Sequence, residues 1–168
     1  MKKLFLLIML VTILFMGCKS TKPAQQKESA SPAQQPVSNV TILDITEKEW
    51  KLIEVRINGE NTGFNRATLT RDGFGDVFTL SFNEGMVSGM GAPNRYSAPY
   101  VPGSGRDISV MLLRSTLMAS IFESSRLKEH DYFNYVQNAY RWNLNNNNLE
   151  LYSKIESGDE IILIFNLG

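Results

Sequence analysis

Between residues 48 and 167 apolar side chains recur at every second position in short runs, and each run stops at a turn signal. The run "EWKLIEVRI" sets Trp50, Leu52 (and again Ile53), Val55 and Ile57 against charged neighbours and ends on Asn58-Gly59. "DVFTLSF" opposes Phe78, Leu80 and Phe82 to Val77, Thr79 and Ser81 before Asn83-Glu84-Gly85, and "DISVMLL" puts Ile108, Val110 and Leu112 on one face. "YRWNL", "LELYS" and "EIILIFNL" follow, separated by residues 145–148 and by Glu156-Ser157-Gly158-Asp159. A period of two is how a pleated strand presents one face to a core, and Asn-Gly suits a two-residue hairpin in which both central residues take positive φ. Strands spaced by roughly 8–12 residues with short turns read as an antiparallel meander.

One stretch breaks the rhythm. Residues 124–138, "SSRLKEHDYFNYVQN", carry Leu127, Phe133 and Val136, with Tyr140 beyond, among charged residues. Ser124 or Ser125 suits an N-cap, and Glu129 and Asp131 fall where the helix dipole favours acids. The expected architecture is α+β: a strongly twisted, partly closed antiparallel sheet with one main helix at about 124–138.

The chain opens with Met1-Lys2-Lys3 and an uncharged run over residues 4–16 that is apolar except for Thr12. A basic start and an apolar run too short for a bilayer of about 30 Å make a secretory signal. The run closes on Phe15-Met16-Gly17-Cys18, which resembles a bacterial lipobox, with Leu14 one place further back than usual and Gly17 suited to cleavage. Cys18 is the single cysteine and has no intrachain disulfide partner, which favours lipidation (palmitate among the acyl chains). Lys19 follows it in place of the aspartate that retains enterobacterial lipoproteins at the inner membrane, so an outer-membrane address is expected, on the periplasmic or the surface side. Residues 1–17 are thus a signal peptide.

Residues 18–40 comprise the lipidated cysteine and a Ser, Ala, Gln, Lys and Pro-rich linker in which Pro23-Ala24-Gln25-Gln26 recurs as Pro32-Ala33-Gln34-Gln35. Such a composition cannot bury enough surface to offset its ordering entropy. As flexible coil, the 22 residues of 19–40 span about 26 Å on average. Residues 41–168 are enough for one domain. Without residues 1–17, which hold two lysines and no acid, fifteen basic and seventeen acidic side chains remain, a net charge of −2. No basic excess is left for nucleic acid, so the membrane contact is expected from lipid.

In order and at matching spacings, "EWKLIEV.ING", "LSFNEGMVSGMGAPNRYSAPY", "STLMAS", a helix, "WNLNNNNLELY" and "IILIF" resemble the META domain, also called HslJ-like, over about 48–167. The resemblance implies a small β-rich α+β domain, common among envelope lipoproteins and associated with stress or envelope phenotypes, with no established reaction to carry over. The chain departs from the family pattern at Pro93 and Ser120, where the family has cysteines, and at Leu117, where it has a basic residue. Because both cysteines are missing together, Pro93 and Ser120 are expected to face each other, with packing around Met118 holding that corner.

The segment "VSGMGAPNRYSAPY" (87–100) is open to two readings. Gly89, Gly91, Pro93 and Pro99 suit a demanding turn, whereas Asn94, Arg95, Tyr96 and Tyr100 are candidate partner-binding residues. "TRDGFGD" (70–76) lacks the third acid and the closing glutamate of a calcium loop and reads as a hairpin turn. With one histidine, His130, and no cysteine in the domain, no metal site, cofactor or catalytic constellation is expected. His130 is read as solvent-facing, and Arg114, Arg126, Lys128 and Glu129 as a solvated rim. The leading expectation is a non-catalytic envelope lipoprotein that binds a protein or envelope polymer or supports the envelope under stress. An inhibitor of lysozyme or protease and a small-molecule carrier are the alternatives.

Overall fold

The computed structural model describes residues 40–119 and 126–168, and in them ten strands join one antiparallel sheet. In chain order these are β1 (Trp50–Ile57), β2 (Glu60–Asn61), β3 (Thr79–Asn83), β4 (Met86–Met90), β5 (Arg95–Pro102) and β6 (Ile108–Val110), then β7 (Arg114–Ser115), β8 (Ala139–Asn145), β9 (Asn148–Lys154) and β10 (Glu160–Leu167). The hydrogen-bonded order is β6-β5-β4-β3-β1-β10-β9-β8, with β2 on β1 and β7 on β5. The two ends meet: Trp142 N donates to Arg106 O at 2.9 Å, and Asp107 bridges Arg141. The result is a nearly closed, barrel-like sheet. With one main helix it is an α+β fold dominated by its sheet.

The alternation explains the core. Trp50, Leu52, Val55, Leu80, Phe82, Leu149, Leu151, Ile161, Leu163 and Phe165 are all essentially inaccessible to solvent. The doubled Leu52-Ile53 is a β-bulge: the β1–β10 register shifts between Leu52 and Glu54, which returns Val55 to the inner face. Three tight turns use positive φ at both central residues, at Asn58-Gly59, Glu84-Gly85 and Asn146-Asn147. Below β1, the buried Trp50 indole donates to Ile45 O at 3.0 Å, and a 3₁₀ turn, Ile42–Asp44, lies just before.

Several expectations need correction. The main helix, α2, is Glu129–Gln137 and not 124–138; its N-cap is Lys128, without a side-chain cap bond, while Ser124 and Ser125 lie outside the described residues. It buries Tyr132, Tyr135 and Val136, whereas Tyr140 belongs to β8 and is exposed. A second, short helix, α1 (Arg66–Arg71), is capped by Asn65, whose side chain accepts from Thr68 N at 3.2 Å. Residues 70–76 are therefore the end of α1 and its exit, not a hairpin turn. Leu112 lies beyond β6 and is exposed, so it does not share the buried face of Ile108.

Candidate functional site

The corner before β5 is organised by two side chains that are 35 residues apart in sequence, Asn94 and Glu129. Glu129, in the first turn of α2, reaches back to this corner. Its Oε1 accepts from Ala92 N at 2.5 Å and Asn94 N at 2.7 Å, and its Oε2 accepts from Asn94 Nδ2 at 2.7 Å. The second Asn94 amide proton goes to Met118 O at 3.1 Å. Asn94 Oδ1 accepts from Thr116 Oγ1 at 2.8 Å and Met118 N at 2.7 Å. The side-chain amide thereby pairs with the main chain of Met118 as a peptide group of a neighbouring strand would. All four of its hydrogen-bonding positions are filled.

The glycines belong to the same construction. A Cβ on Gly91 would stand 2.5 Å from Glu129 Oε1 and 2.6 Å from the Phe133 ring. One on Gly89 would collide with the carbonyl of Thr79. That carbonyl is already crowded: Tyr96 and Tyr132 donate to it at 2.9 and 2.8 Å, with their hydroxyls 3.1 Å apart. Burial pushes both phenols well above their ordinary range, for Tyr96 with the adjacent Tyr132 adding to the shift. Both stay protonated donors at neutral pH.

A second hub lies behind α1. Arg66 Nε donates to Leu52 O at 2.7 Å, Nη1 to Gly75 O at 3.1 Å and Val77 O at 2.7 Å, and Nη2 to Phe78 O at 3.0 Å. Phe78 is fully buried with φ of 53°, a strained conformation for a bulky residue, and the Arg66 bond is one of three that hold its main chain. Desolvation lowers the Arg66 pKa, with Tyr132 and Asp76 acting against it.

On the outer face of β8 and β9, Glu150 accepts from Tyr152 at 2.6 Å, Asn143 at 3.0 Å and Asn145 at 3.2 Å. Burial raises the Glu150 pKa, but these bonds and the charge of Arg56 outweigh it, and the carboxyl ends below its ordinary range. Tyr152 is pushed up to about 12 by burial and by its bond to Glu150.

Of the four candidate partner-binding residues, only Arg95 is exposed. Asn94, Tyr96 and Tyr100 are buried, and Tyr96 and Tyr100 share the inner face of β5, where Tyr100 meets Phe82 edge-on. Asn94 and Tyr96 build the corner from inside, and Tyr100 packs further along β5. Glu129 is a correction of another kind: read as a solvated rim, it is partly buried and holds three donors. Glu129 and Arg66 were missed because a charged side chain between polar neighbours looks like surface. The one usable signal was the pair Gly89 and Gly91, which marks a backbone that other groups approach closely. His130 is exposed, as expected. Pro93 follows a cis peptide bond, while Ser120 and Cys18 lie outside the described residues. Met118 holds the corner through its main chain; its side chain is exposed and does not pack there.

A family model described as the META domain matches residues 43–164. A protein from Burkholderia xenovorans solved by NMR is similar at 20% identity and a TM-score of 0.58, over 86% of this chain and 98% of its own. A crystal structure of a DUF4847 family protein from Bacteroides vulgatus is similar at 14% identity and a TM-score of 0.47, over 73% of this chain and 93% of its own. No curated protein sequence matches the chain.

Proposed function

Because the chain belongs to the META domain family, we propose that it is a non-catalytic lipoprotein of the bacterial cell envelope, held by lipidated Cys18 in the outer membrane. Its domain works as a rigid body on a tether, meeting a protein or polymer partner or supporting the envelope under stress. The observation that carries this reading is that the buried polar side chains around the corner before β5 all find partners within the domain. Asn94, Glu129, Tyr96 and Tyr132 bond one another, the main chain or Thr116, so their chemistry is directed inward. Recognition is left to the outer surface. A small-molecule carrier would need an apolar cavity, whereas Trp50, Trp142, Phe78, Phe82 and Phe165 fill the space between the sheet's faces.

The test is Cys18→Ser. The wild-type chain is expected in the membrane fraction with incorporated palmitate, and the variant in the soluble fraction without it. A variant that stays in the detergent phase and still takes up palmitate overturns the lipoprotein reading.

A further inference from the structure

Nine large apolar side chains are exposed among the described residues, and six of them (Met86, Val101, Met111, Leu112, Leu117 and Met118) fall on or beside β4 to β7. The register shows why they form one patch. Met86 pairs with Pro99, and Met111 N donates to Pro99 O at 2.9 Å, so these three stand side by side across adjacent strands. Tyr96, Ala98 and Tyr100 fill the inner face of β5, which turns Arg95, Pro99 and Val101 outward. Arg114 pairs with Ser97, and Thr116 N donates to Arg95 O at 3.0 Å, which brings both exposed guanidinium groups to the margin of the apolar patch. Beyond them protrude Leu117, 98% exposed, and Met118, 61% exposed.

Charge identifies the occupant. Residues 86–119 contain three arginines and one acid, Asp107. Arg106 is bonded to Asn143 on β8, whereas Asp107, bridged through its main chain to Arg141, keeps an exposed side chain at the β6 end of the face. The part of the patch beside Leu117 and Met118 therefore carries Arg95 and Arg114, with the two nearest acids, Asp107 and Glu84, at its opposite border. The chain after residue 17 has a net charge of −2, so this bias is local. Protruding Leu and Met side chains beside arginines match an anionic phospholipid surface: the apolar tips enter the acyl boundary, and guanidinium groups lie at phosphate depth.

We propose that this face docks the domain onto the anionic bilayer that holds the Cys18 lipid; the inference rests on the anchored reading above. Tethering makes a small face sufficient. Only the 22 residues 19–40 separate Cys18 from the rest of the domain, a spacing that holds it at a local concentration on the order of millimolar at the membrane.

The test uses the full lipidated chain with Leu117→Cys, labelled with an environment-sensitive fluorophore. It is reconstituted into vesicles of phosphatidylcholine with phosphatidylglycerol, or of phosphatidylcholine alone, each carrying a lipid-borne quencher. A label at Glu156→Cys, in the exposed turn between β9 and β10, is the control. The label at 117 should be quenched on the anionic vesicles and not on the neutral ones, with the control unquenched on both. Arg95→Gln with Arg114→Gln should lower the docked-to-undocked ratio about 25-fold, about fivefold per arginine. An aqueous label at 117 on anionic vesicles overturns the proposal, as does quenching indifferent to the two arginines. A label shielded only when envelope proteins are added marks a protein contact and overturns it too. A chain that floats with the vesicles while its label at 117 stays aqueous sinks the docking alone. One that does not float at all sinks the anchor and the docking together.

Discussion

Glu129→Gln keeps the size of the side chain and removes one acceptor, which makes it a sharp probe of the corner before β5. Glutamine can turn its carbonyl toward Ala92 N and Asn94 N, the two donors at 2.5 and 2.7 Å from Oε1. Its amide then faces Asn94 Nδ2, a donor against a donor. Asn94 cannot relieve this by turning over, because Oδ1 is held by Thr116 Oγ1 and Met118 N. One charge-assisted bond is lost at about 1.5–3 kcal/mol, and two others weaken to neutral strength. The expected cost is about 3 kcal/mol. With a urea slope of about 2 kcal/mol/M, the unfolding midpoint falls by about 1.5 M at unchanged slope. His130→Gln, on the neighbouring exposed position, should stay within about 0.5 kcal/mol of the parent. Adding Asn94→Asp to Glu129→Gln restores an acceptor opposite the new amide, although it sets an oxygen against Met118 O, so the double variant should be more stable than Asn94→Asp alone, whose carboxylate faces both the Glu129 carboxylate and Met118 O. A Glu129→Gln midpoint matching that of His130→Gln, or strictly additive costs in the double variant, would refute the assignment of these bonds.

Arg66→Lys should cost about 2–3 kcal/mol in the same assay, because a single ammonium cannot reach the four carbonyls that the planar guanidinium serves; a neutral result would mean that water replaces it there. The Glu150–Tyr152 pair gives stability a pH signature at both ends. The Glu150 carboxyl is depressed on folding, so its contribution is complete above the ordinary carboxylate range and is lost as pH falls through the lower folded value. Tyr152 is raised to about 12, so its contribution is complete below about pH 10 and is lost as pH rises toward 12. Glu150→Gln should flatten the acid limb of stability against pH, and Tyr152→Phe the alkaline limb along with one high-pH phenolate titration; unchanged limbs would contradict the pair.

The strands were legible because their signal is local. Leu80 and Phe82, or Leu149 and Leu151, show their inner face by alternation alone, and Asn58-Gly59 shows its turn by composition; Phe78 is buried from outside β3, beside an equally buried Thr79. Even the bulge in β1 was visible as the doubled Leu52-Ile53. The helices were less so. α1 has six residues, too few for a period to emerge, and α2 begins later than the serines that looked like its cap. What governs the corner could not be read at all, since Glu129 acts on residues 35 and 37 positions away and no local pattern encodes such a reach. The segment 87–100 did announce a backbone with special needs; it did not say that Asn94 and Tyr96 would meet those needs from within.

The position of β10 governs when the barrel can form. It is the last strand in sequence, yet it lies between β1 and β9 in the middle of the sheet. Until it arrives, β1 has only a two-residue ladder to β3 and another to β2, and the hairpin of β8 and β9 has no neighbour on its β9 side. Pairing β1 with β10 closes a loop of about a hundred residues, a nonlocal step of the sort that slows all-β folding to milliseconds or seconds. A chain delivered N-terminus first, from a ribosome or through a membrane pore, therefore emerges with Trp50 and its neighbours unsheltered. Its sheet closes only when Ile161, Leu163 and Phe165 have followed.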